Sequence, residues 1–219
     1  HDLMEKSSIP LKGKNGQDSL DANGSVVYPQ YLGPAWGFTA INLGNDQGLA
    51  NCVLTKISEE KVLIGSGVIS KGNTLTNKFF QIALGNDARG NLQIDRIFQA
   101  PDEMKPRKHA AAFFLQFDTE EGQNQNFYIG TGEDANGNPL CDFWCYNFIN
   151  QTWSRVADCG WRETTGNTYR KGASAFTVER NDDNYSVSKR GILCFGKGYT
   201  ELDGIANSKL FKDVWEYLP

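Results

Sequence analysis

Short apolar runs separated by glycine-rich and polar turns dominate the hydrophobic pattern of this chain. Residues 111–115 (Ala-Ala-Phe-Phe-Leu) and 127–129 (Phe-Tyr-Ile) are continuously apolar, whereas residues 151–156 (Gln-Thr-Trp-Ser-Arg-Val) are amphipathic. Runs of this length indicate buried strands, and alternation indicates a half-buried strand. The 23 Gly residues between aromatic or β-branched runs predict many strands and tight turns rather than helices.

The pattern repeats along the chain. The phrase Arg-Lys-His-Ala-Ala-Ala-Phe at 107–113 returns as Arg-Lys-Gly-Ala-Ser-Ala-Phe at 170–176, and a weaker copy occupies 35–41. Each copy leads to an apolar run that ends in Gly-x-Gly, and these three motifs begin at Gly65, Gly130 and Gly196. In the second and third copies an Asp-aromatic strand follows, at 142–146 and 213–217. Self-similarity at such a period predicts a repeat architecture.

Each repeat reads as one four-stranded antiparallel unit. Such a sheet cannot bury both faces alone, so identical sheets stack around an axis as propeller blades. The small first strand suits the crowded axis, and the bulky Trp and Tyr side chains fill the wider outer space. We therefore predict an all-β fold of about three blades, at approximately 35–105, 106–168 and 169–219, preceded by an N-terminal arm or closing strand at 1–34.

The middle unit resembles the kelch repeats, in which a Tyr precedes a Trp by six intervening residues. Tyr146 and Trp153 have this spacing. The phrase Asp-x-Trp-x-Tyr at 213–217 is similar to that of bacterial kelch-type lipoproteins and secreted proteins. The chain departs from the pattern in its Gly-x-Gly motifs and in the first unit, where Phe80 and Ile94 lie near the expected Tyr and Trp positions.

The resemblance implies a ring that these repeats do not complete. Closed propellers have about four to eight blades. Three alternatives follow: the chain is part of a longer protein, a second copy completes the ring, or residues 25–31 supply a missing outer strand. The resemblance also implies a secreted, periplasmic or cell-surface location.

Charge and cysteine content narrow the function classes. A net charge of −4 argues against a nucleic-acid partner, and no apolar run is long enough to span a membrane. The five cysteines (Cys52, Cys141, Cys145, Cys159 and Cys194) cannot all pair within one chain. We expect mostly reduced, partly buried thiols, with one disulfide involving Cys159 as the alternative.

The sequence predicts no cofactor and no metal site. Kelch-type copper radical oxidases need two His, two Tyr and a Cys, but this chain has only His1 and His109. A copper site made of these two His is chemically conceivable. The acidic loop at 132–138 lacks the terminal Glu of a calcium loop and is interpreted as a turn.

The Arg-Lys phrase supplies the candidate ligand-binding residues. Arg107, His109 and Arg170 stand where one blade passes to the innermost strand of the next, at the predicted channel mouth. Guanidinium groups suit carboxylates of an acidic peptide or sugar acid. The alternative is that each Arg pairs with a blade carboxylate as a structural latch. The variable loops add Glu133 and Tyr199 as candidates, and Trp36, at an inter-blade or pre-strand position, is a further one.

We expect a non-catalytic binding module that recognises a protein or glycan ligand through loops at the channel mouth. The alternative is a sugar-acting enzyme, oxidase-like or similar to the sialic-acid mutarotases of this family. A mutarotase-like enzyme would use Arg107, His109, Glu133 and Arg170 in one open pocket. A third hypothesis is an architectural blade set that associates with itself or with the remaining blades of a longer chain.

Overall fold

A computed structural model describes residues 48–69, 74–84, 92–119, 122–157, 167–181, 187–202 and 205–217. The predicted arm at 1–34 and the candidate Trp36 lie outside these ranges. Over the described ranges the secondary structure is all β-strand, and none of it forms a helix able to cross a membrane. The strands are β1 Leu49–Ala50, β2 Val53–Lys56, β3 Lys61–Gly65, β4 Val68–Ile69, β5 Thr74–Leu75, β6 Lys78–Leu84, β7 Leu92–Gln99, β8 Ala111–Thr119, β9 Gly122–Gly130, β10 Phe143–Asn147, β11 Thr152–Ala157, β12 Asn167–Lys171, β13 Ser174–Asn181, β14 Val187–Cys194, β15 Lys197–Leu202, β16 Ile205–Leu210 and β17 Val214–Tyr217.

Three antiparallel sheets form the blades, and the predicted all-β fold is confirmed. Blade 1 has the order β2-β3-β6-β7, blade 2 the order β8-β9-β10-β11, and blade 3 the order β13-β14-β17. Each strand therefore pairs with the next blade strand along the chain. Two blades have the predicted four strands, and the described part of blade 3 has three.

Both faces of blade 2 are buried against a neighbouring blade. Phe127 and Ile129 join a core with Leu63 and Phe79 of blade 1. Tyr128, which lies between them in β9, joins a second core with Leu193 of blade 3. Successive strand side chains point to opposite faces, so the continuous apolar run at 127–129 results from covering both faces of one strand.

The innermost strand of blade 1 is β2, which places the first repeat later than the sequence comparison suggested. Asn51, His109 and Gly172 all have positive φ, at 53°, 54° and 62°. The His109 amide donates to the Asn51 carbonyl at 3.1 Å, and the Gly172 amide donates to the His109 carbonyl at 2.9 Å. Asn51 therefore corresponds to His109. The segment at 35–41, matched to the Arg-Lys phrase from sequence, lies outside the described residues.

The third Gly-x-Gly motif begins at a different residue from the one that the sequence predicts. Gly67, Gly132 and Gly196 have φ values of 86°, 89° and 99°, and the residues before them (Ser66, Thr131 and Phe195) have positive φ as well. The third copy is therefore Cys194-Phe195-Gly196, two residues before the predicted Gly196-Lys197-Gly198.

Loops between the second and third blade strands fold into small sheets on one side of the blades. In blade 1, β4 pairs with β1 on one side and with β5 on the other. In blade 3, β15 and β16 form a longer hairpin that pairs with β12. In blade 2 the corresponding loop makes isolated bridges, Lys108 with Glu133 and Leu140 with Arg170. These loops bring blade-specific side chains next to the segment that enters each blade.

The cysteines divide between thiols and a disulfide. Cys52, Cys145 and Cys194 are free. Cys141 is disulfide-bonded, so one of the four described cysteines is not a thiol. Burial raises the pKa of Cys145 to about 11, which keeps this thiol protonated and unreactive at neutral pH. Cys159, the residue that the disulfide alternative named, lies outside the described ranges.

We predict that Gly132→Ala destabilises the protein by more than about 3 kcal/mol. An added Cβ would stand 2.6 Å from the Lys108 carbonyl oxygen, in a backbone with φ of 89°. Gly137→Ala is the matched control, since its φ is 83° but its nearest neighbour, a Glu133 oxygen, is at 3.8 Å. Its cost is left-handed strain of about 1–2 kcal/mol. Equal losses in urea unfolding would contradict the steric explanation.

Candidate functional site

Arg107 is a fully buried guanidinium held by a carboxylate of its own blade. It has no exposed surface. Its Nη1 and Nη2 donate to the two Asp142 carboxylate oxygens, both at 2.8 Å, and Nη1 also donates to the Thr131 carbonyl at 3.1 Å. The Trp144 indole donates to the same carboxylate at 2.7 Å. Asp142 therefore forms a bidentate, charge-assisted pair with the buried Arg107, and Trp144 of the same Asp-x-Trp sequence binds that carboxylate as well.

Blade 3 repeats this arrangement. Arg170, also without exposed surface, donates to Asp213 at 2.7 and 3.0 Å, and the Trp215 indole donates to Asp213 at 2.8 Å. The Arg170 guanidinium also lies 4.2 Å from the Phe211 ring centre, a cation–π contact. Both Arg side chains thus have the geometry of the structural-latch alternative, and neither reaches solvent in this structure.

The backbone of each Arg joins the preceding blade. The Gly67 amide donates to the Arg107 carbonyl at 2.7 Å, and the Gly132 amide donates to the Arg170 carbonyl at 2.8 Å. Because the side chain binds its own blade and the carbonyl binds the preceding one, each Arg connects two blades. Burial by itself would raise the pKa of Asp142, but the hydrogen bonds from Arg107 outweigh that effect and lower it.

Glu133 is the centre of a second charged cluster, next to the latch. Its side chain is nearly buried, and one oxygen lies 2.9 Å from His109 Nδ1. Lys108 Nζ is 3.5 Å from that oxygen, and Lys171 pairs with the other oxygen. Burial would raise the pKa of Glu133, but hydrogen bonds from Lys171 and His109 hold it below its ordinary value. The carboxylate is therefore ionised and fully engaged.

An open cleft of about 710 Å³ lies beside this cluster. His109, Glu133 and Lys171 form one wall. The other residues come from blade 3 and its hairpin: Gly172, Phe195, Gly196, Lys197, Leu210, Phe211 and Lys212. The cleft thus joins two predicted site residues, His109 and Glu133, with five side chains that sequence reasoning did not single out: Phe195, Lys197, Leu210, Phe211 and Lys212.

Phe195 differs from its equivalents in the other blades. Ser66 and Thr131 occupy the same left-handed position and are completely buried, whereas Phe195 is 52% exposed. Positive φ is unusual for a bulky residue, and strained residues cluster at functional sites. Correct alignment of the third Gly-x-Gly motif would have revealed Phe195 as the exception among three equivalent residues.

Tyr199, another predicted site residue, does not line this cleft. Tyr199 is half-buried and stacks on Tyr169, with ring centres 4.7 Å apart. Trp36 lies outside the described residues. The residues gathered in the cleft come from the two Arg-Lys phrases, from Glu133 in the loop after β9, and from the segment that follows β14. Lys171, the second residue of the phrase, was therefore visible in the sequence as part of a repeat.

Across the described ranges no group of three or more His, Cys, Asp or Glu side chains is arranged to hold a metal ion. The cleft instead presents lysine ammonium groups, one imidazole, one carboxylate (Glu133) and apolar side chains. Such a surface can bind an anionic group through charge-assisted hydrogen bonds and hold an apolar part of the same ligand.

Comparison with known proteins agrees with the blade architecture. Residues 130–160 match the model of the kelch motif. The matched stretch contains β10 and β11, in which Tyr146 and Trp153 are paired across the strands with ring centres 5.1 Å apart. Residues 130–160 therefore contain a kelch motif, and the described sheets have the strand order of β-propeller blades.

One similar solved structure is titled "Structure of YjhT". It is 13% identical to this chain, with a TM-score of 0.47, and the alignment covers 78% of this chain and 43% of that chain. This chain therefore spans less than half the length of that protein. None of the curated proteins matches the sequence.

We predict that Asp142→Asn destabilises the protein by about 3 kcal/mol at neutral pH, because it leaves a buried guanidinium without its counter-charge. Asp118→Asn, at an exposed residue of β8, is the control and changes stability by less than about 0.5 kcal/mol. Denaturant unfolding measures both.

The same pair predicts a pH dependence. The folded pKa of Asp142 is lowered, so its stabilisation is present above the unfolded pKa of about 3.9 and is lost as pH falls through the folded value. The difference between wild type and Asp142→Asn should therefore shrink below about pH 4. A difference independent of pH would show that the carboxylate charge is not responsible.

Proposed function

We propose that this chain is a non-catalytic binding module whose cleft recognises a carboxylate-bearing protein or glycan ligand. One observation carries the proposal: an acidic chain, with a net charge of −4, presents a cleft in which lysines outnumber carboxylates. Lys171, Lys197 and Lys212 line it together with a single acidic residue, Glu133. A local charge opposite to that of the whole protein favours an anionic ligand.

The lysines differ in their freedom to bind. Lys171 already forms an ion pair with Glu133, and His109 donates a hydrogen bond to the same carboxylate. Lys197 and Lys212 are exposed and have no carboxylate partner among the described residues. A ligand carboxylate could therefore pair with them without breaking an existing ion pair. Because the ammonium groups of Lys197 and Lys212 are exposed, salt should screen them and weaken the binding.

An apolar surface adjoins the free lysines. Phe195 is 52% exposed and Leu210 is 71% exposed, and both line the cleft. A planar ring beside ammonium groups fits a ligand that carries an acidic group next to a ring or an apolar side chain. Acidic peptides containing an aromatic residue, and sugar acids, both meet this description.

We predict that Lys197→Glu with Lys212→Glu weakens binding to the acidic ligands recovered from peptide and acidic-glycan arrays by about tenfold or more. Loss of one charge-assisted contact costs about 1.5–3 kcal/mol, and tenfold corresponds to about 1.4 kcal/mol. Calorimetry with the best array ligand measures the change. Phe195→Ser, which introduces the residue found at position 66, should also reduce affinity.

Lys78→Glu is the matched control, because Lys78 is exposed on β6 and does not line the cleft. It changes the net charge in the same direction and should leave affinity unchanged. If Lys78→Glu weakens binding as much as the cleft variants do, the effect is one of overall charge, and the cleft is not the site.

The enzyme alternative has one supporting observation. His109 and Glu133 form a hydrogen-bonded pair at 2.9 Å that lines the cleft, as a general acid–base pair would. The mutarotase-like hypothesis also requires Arg107 in the same open pocket. Arg107 is instead buried and bound to Asp142. The observed geometry therefore favours binding over sugar chemistry.

We expect the protein not to accelerate the interconversion of the anomers of a free sialic acid, measured by proton NMR. Acceleration that is lost in His109→Gln but retained in Lys78→Glu would establish the enzyme alternative. It would also contradict the proposal of a non-catalytic module.

A further inference from the structure

A second cleft, of about 510 Å³, lies beside the one described above. We call the cleft beside His109 the first cleft and this one the second cleft. The second cleft is lined from the loop of blade 1, the segment that enters blade 2 and the loop of blade 2, by Val68, Leu75, Lys105, Lys108 and Asp134 among others. It therefore also combines lysines with apolar side chains.

The two clefts occupy equivalent positions in successive repeats. Apart from His109, the first cleft has the same three sources one blade later: the loop of blade 2, the segment that enters blade 3 and the loop of blade 3. Lys108 lines the second cleft and Lys171 lines the first, and each directly follows the buried Arg of its blade. Because the same latch fixes the backbone beside both lysines, the repeat places a lysine at the same point of both clefts.

One carboxylate lies where the two clefts adjoin. Glu133 lines the first cleft, and one of its oxygens is 3.5 Å from the Nζ of Lys108, which lines the second. Its other oxygen pairs with Lys171 in the first cleft. The two clefts therefore meet at a single ion pair. An extended ligand chain that fills one of them reaches the other within a few residues, since such a chain advances about 3.3–3.6 Å per residue.

The second cleft offers an exposed lysine that has no carboxylate at ion-pair distance among the described residues. This is Lys105. The one acidic residue of the lining, Asp134, is bound within its own loop, where it accepts from the Asn136 amide at 2.9 Å and from the Asn138 amide at 3.0 Å. Desolvation raises the pKa of Asp134, but these hydrogen bonds and the nearby charge of Lys105 lower it. An incoming carboxylate can therefore pair with Lys105 without breaking an ion pair.

The apolar side chains indicate which class of acidic ligand fits both clefts. Val68, Leu75 and Pro106 line the second cleft. Phe195 and Leu210 line the first. A peptide presents acidic and apolar side chains at successive positions of one chain. An acidic polysaccharide repeats its carboxylates but carries no apolar side chains, so the two linings favour a peptide.

We propose that the two clefts together bind one extended peptide, which carries an acidic residue and an apolar neighbour for each cleft. This inference rests on the proposed function of the first cleft and adds the second cleft to it. Because both acidic segments belong to one chain, binding of the second segment is intramolecular. The overall affinity therefore rises without any new contact in the first cleft.

Calorimetry with synthetic peptides tests the proposal on the full chain. One probe has a single Glu-Phe-Glu segment in a Gly-Ser peptide, and the other has two such segments joined by Gly-Ser spacers of about two to ten residues. At the best spacer the double-segment peptide should bind about tenfold or more tighter, since repetition of the segment alone gives only about a twofold gain. Replacing the second segment by Gln-Phe-Gln, which keeps its shape, should abolish the gain.

Substitutions in the second cleft locate the gain. Lys105→Glu should remove it, so that the two peptides bind equally to within about twofold, because a carboxylate then repels the second segment. Lys105→Gln should reduce the gain by a smaller factor. Lys78→Glu is the matched control and should retain the gain, since Lys78 is exposed and lines neither cleft. Circular dichroism of each variant checks that it is folded.

The outcomes separate this inference from the proposed function. A double-segment peptide that binds no tighter at any spacer, or a gain that survives Lys105→Glu, would overturn the inference and leave the first cleft as a binding site. Failure of both peptides to bind, or binding that is unaffected by Lys197→Glu with Lys212→Glu, would overturn the proposed function as well. Binding of oligogalacturonate that depends on Lys105, with neither peptide bound, would assign the clefts to an acidic polysaccharide and overturn the peptide.

Discussion

The buried ion pair between Arg107 and Asp142 is the interaction on which the rest of this structure depends. A guanidinium without exposed surface is costly unless a carboxylate and hydrogen-bond acceptors surround it. Asp142 and the Thr131 carbonyl meet that need, and they belong to the segments on either side of the loop at 131–142. The pair therefore fixes where this loop starts and where β10 begins.

The candidate site follows directly from that constraint. His109 is two residues from Arg107 along the chain, and Glu133 is two residues from Thr131. Once the Arg is bound, these two side chains are brought to one surface, where they form a hydrogen bond. Blade 3 then completes the cleft with its longer hairpin. The site therefore combines backbone positions that recur from blade to blade with side chains that are found in one blade only.

The same periodicity that builds the core also places some apolar side chains of blades 1 and 3 at exposed positions. Alternation in β9 covers both sides of blade 2, since Phe127 faces one neighbour and Tyr128 faces the other. Blades 1 and 3 carry the same alternation but have a described neighbour on one side only. The exposure of Phe176 and Leu54 is thus a consequence of repetition, because each unit is built to pack on both faces.

The sequence by itself determined the all-β fold, the strand order within a blade and the existence of repeats, because these depend on local period, turn residues and self-similarity. The sequence also identified Arg107, Arg170, His109 and Glu133 as candidate ligand-binding residues. Tertiary structure decided their roles, since the carboxylates that bury Arg107 and Arg170 lie 35 and 43 residues away along the chain. It also decided the register of the third repeat. An added Cβ at Gly130 would stand 2.0 Å from the Phe143 ring, so blade 2 requires glycine at this position. In blade 3 the smaller Val214 replaces Phe143, and Cys194 is accommodated in place of the glycine. The need for glycine at this position comes from a ring in another strand, so the residues adjacent in sequence do not reveal it. For the same reason the sequence did not predict the cleft around Phe195.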